Sequence, residues 1–201
     1  MKSIVYVGMD VHSETFSLCA LDSNTGEILR ETTCASDSKL VEKFIDGLTE
    51  ITPEDTTFLT GYEAGCLGFS LYKSLEQRGI SCVILAPTTM FSSAKNAVIK
   101  NDWMDAVMIA RNLASNTYQA VHVPDEEDEN VRDYIRMRKS FKRSLTRVKQ
   151  QLGALILRRG YHFGGTKQHW TKAHRDWIKR LEVPALVREI LDEYMVQLEE
   201  Y

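Results

Sequence analysis

Two carboxylates, Asp102 and Asp105, lie three residues apart at the start of a run without glycine or proline that continues to Ala114. The run predicts a helix, and residues three apart share one helix face, so both carboxylates can point into one site. Acidic residues are also favoured at helix N-termini, where backbone N–H groups lack partners. The alternative is therefore that Asp102 only caps this helix and Asp105 only adds charge to its first turn.

Two more carboxylates end predicted buried strands. Asp10 ends a run rich in β-branched and apolar residues that begins at Ser3, and Glu63 ends a similar run from Thr56. If these strands are neighbours in a sheet, Asp10 and Glu63 lie side by side, and the helix start can lie across them. Four like charges need a counter-ion, and oxygen-only ligands suit Mg²⁺ or Mn²⁺. Two such ions, roughly 3.5–4 Å apart, would activate a nucleophile and stabilise a leaving oxygen in phosphoryl transfer.

Histidine and cysteine do not predict another metal site. His12 follows Asp10 and can line the site, as a neighbour of the ligands or a surface residue rather than as a ligand. We interpret His162, His169 and His174 as parts of a surface that faces nucleic acid, because their spacing is not that of metal ligands. The four cysteines are scattered without a Cys-x-x-Cys pair, which predicts reduced, mostly buried thiols and no structural zinc.

The elements around these residues predict a mixed α/β domain. Strands are expected at 3–10, 15–21, 27–33, 56–63 and 81–85, with helices that begin at Ser38 as N-cap, at Phe69 and at Asp102. The first three strands have short links and predict an antiparallel meander, while the later alternation of helix and strand predicts a mixed sheet. Residues 87–99 are expected to form a loop that leads into the acidic helix.

Charge is distributed very unevenly along the chain. The net charge is −3, yet residues 131–180 hold 15 Lys and Arg against 2 Asp and Glu, while the residues before 131 hold 9 against 20. An acidic globular part joined to a strongly basic segment indicates a polyanionic partner for that segment, and nucleic acid is the obvious one. A solvated helix face that only keeps the protein in solution is the alternative.

The basic segment predicts a long amphipathic helix over 127–159, with the acidic run from Asp125 as its first turn and Gly160 as its end. One face is apolar from Ile135 to Leu155, for packing on the domain or on a partner helix. Another face has five cationic residues at steps of three or four: Arg132, Arg136, Lys139, Arg143 and Arg147. Arg138, Lys142 and Lys149 widen this stripe, and all eight are candidates for nucleic-acid binding. Two shorter helices are predicted at 170–181 and 183–201. We therefore expect two domains, 1–125 and 126–201.

Four segments, 7–12, 61–65, 85–87 and 100–106, together with the arginine-rich helix from Arg132, closely resemble the DEDD-type insertion-sequence transposases. That family includes the Piv invertase and the bridge-RNA-guided recombinases. The resemblance covers nearly the whole chain in the family's order. It implies a RuvC-like domain of RNase H-like fold, a mixed five-stranded sheet with flanking helices. It also implies that the helices after Val131 begin a coiled-coil region for dimerisation and for contact with guide RNA or DNA. The implied Mg²⁺-binding tetrad is Asp10, Glu63, Asp102 and Asp105.

The chain departs from the family pattern in two ways. Asn101 and Trp103 stand where the family commonly has Thr and Arg, which removes a basic contact beside the site. Family members also continue into a C-terminal domain that supplies a nucleophilic serine, whereas this sequence ends at Tyr201. We therefore expect a fragment or a naturally short relative, and we expect strand exchange by this polypeptide alone to fail.

The favoured function is the catalytic N-terminal part of a transposase or site-specific recombinase, dependent on Mg²⁺ or Mn²⁺. Its expected partners are donor and target DNA, a guide RNA and a second copy of the chain or a higher oligomer. The alternatives are a stand-alone RuvC-like endonuclease that cuts branched DNA, and a non-catalytic nucleic-acid-binding or dimerisation module. The chain shows no signal peptide and no apolar run of the roughly 20 residues that span a bilayer. A cytoplasmic, nucleoid-associated bacterial protein without a membrane partner is the expectation.

Overall fold

The computed structural model describes residues 3–65, 67–90, 102–165 and 170–200, except for the side chain of Asp102. The chain divides into two compact units, Met1–Val123 and Pro124–Tyr201. Most of the predicted loop at 87–99 lies outside the described residues, and its start forms a short 3₁₀ helix, Pro87–Thr89. No helix among the described residues combines the length and the apolar character needed to cross a lipid bilayer.

The first unit is built on one five-stranded sheet. Its strands are β1 Ile4–Val11, β2 Thr15–Asp22, β3 Ile28–Ala35, β4 Thr57–Glu63 and β5 Cys82–Leu85. Their order across the sheet is β3-β2-β1-β4-β5. The first three strands pair antiparallel, whereas β4 runs parallel to β1 and β5 runs parallel to β4. The predicted mixed sheet, a meander followed by parallel strands, is confirmed.

Helices cover both faces of this sheet. They are α1 Ser38–Thr49, α2 Ser70–Gln77 and α3 Asp102–Ser115. Because side chains alternate along a strand, Val5, Val7 and Met9 of β1 enter one core together with apolar residues of α1 and α2. The residues between them face the opposite side, where α3 packs. The unit therefore has three layers, which confirms the expected α/β arrangement with flanking helices.

The predicted N-cap of α1 is wrong by one residue. Asp37, in extended conformation, accepts a hydrogen bond from the Lys39 N–H at 2.8 Å, so the helix begins at Ser38 rather than after it. The Ser38 hydroxyl instead lies 2.8 Å from the Ser74 hydroxyl of α2. Either residue has a side-chain oxygen suited to an N-cap, and the tertiary contact with α2 decides between them.

The second unit is helical, with α4 Glu126–Arg158, α5 Lys172–Lys179 and α6 Ala185–Glu200. Its core joins the C-terminal part of α4 to the other two helices through residues such as Leu152, Ile178 and Leu191. Gly160, at φ +78°, follows the end of α4 as predicted. Helix α5 is shorter than the predicted 170–181. It begins after Trp170, whose φ of +69° does not fit a right-handed helix, and Thr171 serves as its N-cap.

The N-terminal part of α4 differs from its C-terminal part. Tyr134 and Phe141 are exposed over 59% and 51% of their surface, and Val131 and Ile135 are exposed as well. From Val148 onward the apolar residues on the same side of the helix are buried against α5 and α6. The coiled coil implied by the resemblance therefore stays a prediction for the exposed part of α4.

Candidate active site

Asp10 and Glu63 lie next to each other at the carboxyl ends of β1 and β4, because these strands are parallel neighbours. The ladder between β1 and β4 runs in register to the pair Met9 and Tyr62, and Asp10 and Glu63 are the next residues of the two strands. Partners in a parallel pair face the same side of the sheet. Met9 and Tyr62 are buried in the core below α1 and α2, so both carboxylates face the side on which α3 lies. The side chain of Asp10 is only 17% exposed, while Glu63 is exposed.

Two glycines bring α3 close to the sheet below these carboxylates. Gly8 and Gly61 are paired across β1 and β4, each two residues before a carboxylate. A Cβ at Gly8 would overlap the backbone of Ala106 and Ala110, and a Cβ at Gly61 would lie 3.0 Å from the methyl carbons of Leu113. At Gly8 the helix backbone therefore lies directly on the strand, at a separation that only glycine allows, while at Gly61 a Cβ would require the leucine side chains to shift.

Helix α3 runs in the direction that brings its first turn toward the carboxyl ends of β1 and β4. Ala106 lies against Gly8, whereas the later residues Ile109 and Leu113 belong to a cluster that includes Tyr6 and Leu59, earlier in their strands. The helix thus runs back along β1 and β4, and its N-terminal turn is directed toward their carboxyl ends. The positive dipole end of the helix favours negative charge there.

The structure brings together part of the predicted tetrad. Asp10 and Glu63 are neighbours, and the half-buried Asp105 lies in the first turn of the helix directed at them. Asp102 begins that helix, and its side chain lies outside the described part. Among the described side chains, no group of three or more His, Cys, Asp or Glu is close enough to hold a metal ion. The convergence of all four carboxylates therefore stays a prediction.

The donors at this edge nevertheless fit a hard divalent cation. Asp10 and Glu63 offer carboxylate oxygens only, the ligand type that Mg²⁺ and Mn²⁺ prefer. The thiol of Cys19, a residue paired with Gly8 in the sheet, is fully buried beneath α3. Burial raises its pKa to about 12, so it stays protonated and does not act as a ligand. The Cys19 thiol therefore does not compete with the carboxylate oxygens for a cation.

The segment after Glu63 is held by a buried tyrosine. Tyr62 is fully buried, donates its hydroxyl hydrogen to the Gly68 carbonyl at 3.0 Å and accepts from the Tyr72 N–H at 3.3 Å. Burial raises the pKa of this phenol far above its ordinary value, so it remains a donor. Tyr62 thus fixes the turn into α2 close to the end of β4.

His12 lies beside the carboxylate of Asp10. Its Nε2 is 3.1 Å from Asp10 Oδ2, although His12 itself lies just beyond the end of β1. The sequence predicts that His12 can line the site, but it does not identify this contact. No role was predicted for Gly8 and Gly61. A glycine, one further residue and then a carboxylate occur in both 8–10 and 61–63, and this repeat indicates that both strands approach a helix.

One prediction about histidine is wrong. His174, expected on a surface that faces nucleic acid, is 3% exposed and packs among the rings of Phe163, Trp170 and Trp177. Its Nδ1 accepts a hydrogen bond from the Trp170 N–H at 3.1 Å. Its ring contacts with these aromatic residues make a core position more favourable than exposure. His162 is exposed, and His169 lies outside the described residues.

The cationic residues predicted on α4 are accessible. Seven of the eight are exposed and Lys149 is half-buried: Arg132, Arg136, Arg138, Lys139, Lys142, Arg143, Arg147 and Lys149. Arg136 pairs with Asp133 at 2.8 Å, but both are largely exposed, so the pair adds little stability and leaves the surface strongly basic. This surface can attract a polyanion.

Comparison with known proteins gives a consistent result. A sequence model of the IS110-type DEDD transposase family, described as "Transposase", matches residues 7–160. The transposase for insertion sequence element IS1533 of Leptospira borgpetersenii is 36% identical over 196 residues, which are 96% of this chain and 56% of that protein. The y4qE protein of Sinorhizobium fredii is 32% identical over 136 residues, which are 68% of this chain and 34% of that protein. The chain thus spans about half or less of these relatives.

Two solved structures of Thermus thermophilus RuvC, one of them with a Holliday junction substrate, are similar to part of the chain. They cover 59% and 58% of it, with TM-scores of 0.40 and 0.37 and identities of 10% and 9%. These TM-scores are too low to support a fold assignment. The α/β assignment therefore rests on the sheet topology. The family match over most of the length is decisive, and the chain belongs to the IS110-type DEDD transposase family.

Proposed function

We propose that this chain is the catalytic N-terminal part of an insertion-sequence transposase or recombinase that cleaves and transfers DNA strands. The observation that supports the proposal is the position of Asp10 and Glu63, each one residue beyond the last pair of the ladder between β1 and β4, with the acidic first turn of α3 directed toward them. The chain spans 56% of the IS1533 transposase. In this proposal, strand transfer also needs a C-terminal domain that supplies a nucleophilic serine.

In this proposal Asp10, Glu63, Asp102 and Asp105 hold divalent metal, Mg²⁺ or Mn²⁺, as one or two ions. When bound, the metal would make a nucleophilic oxygen more acidic and stabilise the charge on the leaving oxygen of a phosphodiester. The protein's own part is to hold the carboxylates in place. Gly8 and Gly61 fix the distance between α3 and the strands, and Tyr62 fixes the chain after Glu63.

The second part of the proposal concerns α4. Its residues at alternating steps of three and four, Val131, Tyr134, Arg138, Phe141, Leu145, Val148, Leu152 and Leu155, form one seam, and the seam is buried only from Val148 onward. The cationic residues Arg132, Arg136, Lys139 and Arg143 lie on the opposite side of the same helix. We infer that the exposed part of the seam packs on a second copy of the chain. The cationic side then contacts the phosphates of DNA or of a guide RNA in the cytoplasm.

The metal site is tested by titrating the protein with Mn²⁺ or Mg²⁺ in a calorimeter. We expect weak binding by the wild-type chain, because substrate phosphates that would complete the coordination are absent, and a loss of that binding in Asp10→Asn. The matched control is Asp46→Asn, which changes an exposed carboxylate on α1. Equal heats for the wild type and Asp10→Asn would reject the site. Nucleic-acid binding that persists without metal binding would instead favour a non-catalytic binding module.

The nucleic-acid surface is tested by the salt dependence of DNA and RNA binding. Each phosphate contact contributes roughly 0.9 to the slope of log K against log salt for duplex DNA, so Arg136→Ala, Lys139→Ala and Arg143→Ala together should reduce the slope by up to about 2.7. A control with the same charge change in the first unit is the triple change of Lys39, Lys43 and Lys73 to Ala. If the α4 variant binds as tightly as the wild type and with the same slope, its cationic side is only a solvated face.

A further inference from the structure

His12 lies in a turn whose backbone is fixed from two sides. The residues between β1 and β2 are only 12–14, and the His12 N–H donates to the Thr15 carbonyl at 2.9 Å. Just after β3, the Ser36 hydroxyl donates to the Ser13 carbonyl at 2.8 Å, and the Ser36 N–H donates to the Glu14 carbonyl at 3.0 Å. The imidazole is therefore carried by a backbone with little freedom, although the ring itself is 50% exposed.

The donor and the acceptor in the contact between His12 and Asp10 can be assigned. An ionised carboxylate can only accept hydrogen bonds, so Nε2 of His12 is the donor in the 3.1 Å contact with Asp10 Oδ2. A hydrogen bond to one oxygen restricts the rotation of the carboxylate plane. Groups that hold ligands in this manner set the angle at which the ligand meets a metal, and their loss typically lowers metal affinity by 10–100-fold.

We propose that His12 is a positioning residue of the metal site: through Nε2 it holds Oδ2 of Asp10, so that the other carboxylate oxygen meets a bound cation at a fixed angle. This inference rests on the proposed metal-dependent function and adds a residue to it. His12 contacts the cation only through Asp10. Its imidazole therefore matters as a hydrogen-bond donor at a fixed distance, and an amide that reaches the same point can replace it.

The experiment is a Mn²⁺ titration of the whole chain by calorimetry. We expect His12→Ala to bind Mn²⁺ about 10-fold or more weakly, and His12→Gln to recover most of that loss, because its amide N–H₂ can reach Oδ2. The control is His122→Ala, which removes the other histidine of the first unit, also exposed, and should leave the affinity unchanged. Thermal unfolding without metal should be the same for all three variants, because a merely structural role would lower it.

The outcomes separate this inference from the proposed function. If Asp10→Asn loses binding while His12→Ala binds like the wild type, the metal site stands and the role of His12 is wrong. The role is also wrong if His12→Gln is as weak as His12→Ala, because then the hydrogen bond is not the cause. If the wild-type chain binds no Mn²⁺, or if Asp10→Asn binds as well as the wild type, both the metal site and the role of His12 are rejected.

Discussion

Helices α3 and α4 both begin with carboxylates, yet the structure gives the two acidic starts different surroundings. In α4, Asp125 Oδ1 accepts a hydrogen bond from the Asp128 N–H at 2.8 Å, and Glu126, Glu127 and Asp128 are exposed. In α3, Asp105 is half-buried, and the first turn is directed toward Asp10 and Glu63. The acidic start of α4 caps its own helix, whereas that of α3 is predicted to add its charge to that of Asp10 and Glu63.

The difference shows that an acidic first turn does not by itself indicate a metal site. Carboxylates near a helix N-terminus are favourable wherever the helix lies, through capping and through the dipole. They become candidates for metal binding only where other carboxylates face them, because the repulsion then needs a counter-ion. In this chain we predict that Asp10 and Glu63 of the sheet are those carboxylates for α3.

The largest expected effect is a difference in stability between two glycine substitutions, one against α3 and one within α4. Gly8→Ala should destabilise the first unit by about 3 kcal/mol or more, because the added Cβ overlaps the backbone of Ala106 and Ala110, which cannot move without displacing α3. The control is Gly153→Ala in α4, where the Cβ would lie 3.8 Å from the Trp170 ring, an ordinary contact. That change should stabilise the helix by about 0.5–1 kcal/mol. Urea unfolding followed by circular dichroism measures both, and equal effects would show that α3 does not depend on the close approach.

The next effect tests which acidic start binds metal. At a metal concentration about one hundred times the dissociation constant, binding should raise the free energy of unfolding of the wild-type chain by roughly 2.7 kcal/mol. We expect Asp105→Asn to lose most of this gain and to be slightly more stable than the wild type without metal, because one repulsion is removed. Glu127→Gln on α4 is the matched control and should retain the full gain. Thermal melts with and without Mn²⁺ decide, and a loss in Glu127→Gln instead would reverse the assignment.

The smallest effect concerns capping. Asp125→Ala removes the side chain that accepts from the Asp128 N–H and should cost about 1 kcal/mol in the second unit, without a change in metal affinity. Asp125→Ser retains an oxygen that can cap and should recover most of the stability. A Mn²⁺ affinity that falls in Asp125→Ala would contradict the distinction between the two acidic starts.

The sequence alone predicted the class and most elements of the fold. Alternating and helical patterns of apolar residues identified the five strands and the main helices, and glycine correctly marked the end of α4 at Gly160. The candidate carboxylates were also identified by sequence, because strand ends and helix starts can be recognised locally and because the motifs resemble those of one family. These features depend on residues close together in the chain, so local physics specifies them.

Only the tertiary structure decided the relations between distant residues. It paired Gly8 with Gly61, placed Ala106 against Gly8, and thereby set the direction in which the first turn of α3 points. It also buried His174 among Phe163, Trp170 and Trp177, where the sequence had predicted exposure. The contacts of Gly8 join residues far apart in the chain, so they depend on how whole elements pack, and no periodicity within one element records which partner it will meet. The rings around His174 are close to it in the sequence, but whether its side of α5 faces the core or the solvent depends on how α5 packs against α4 and α6.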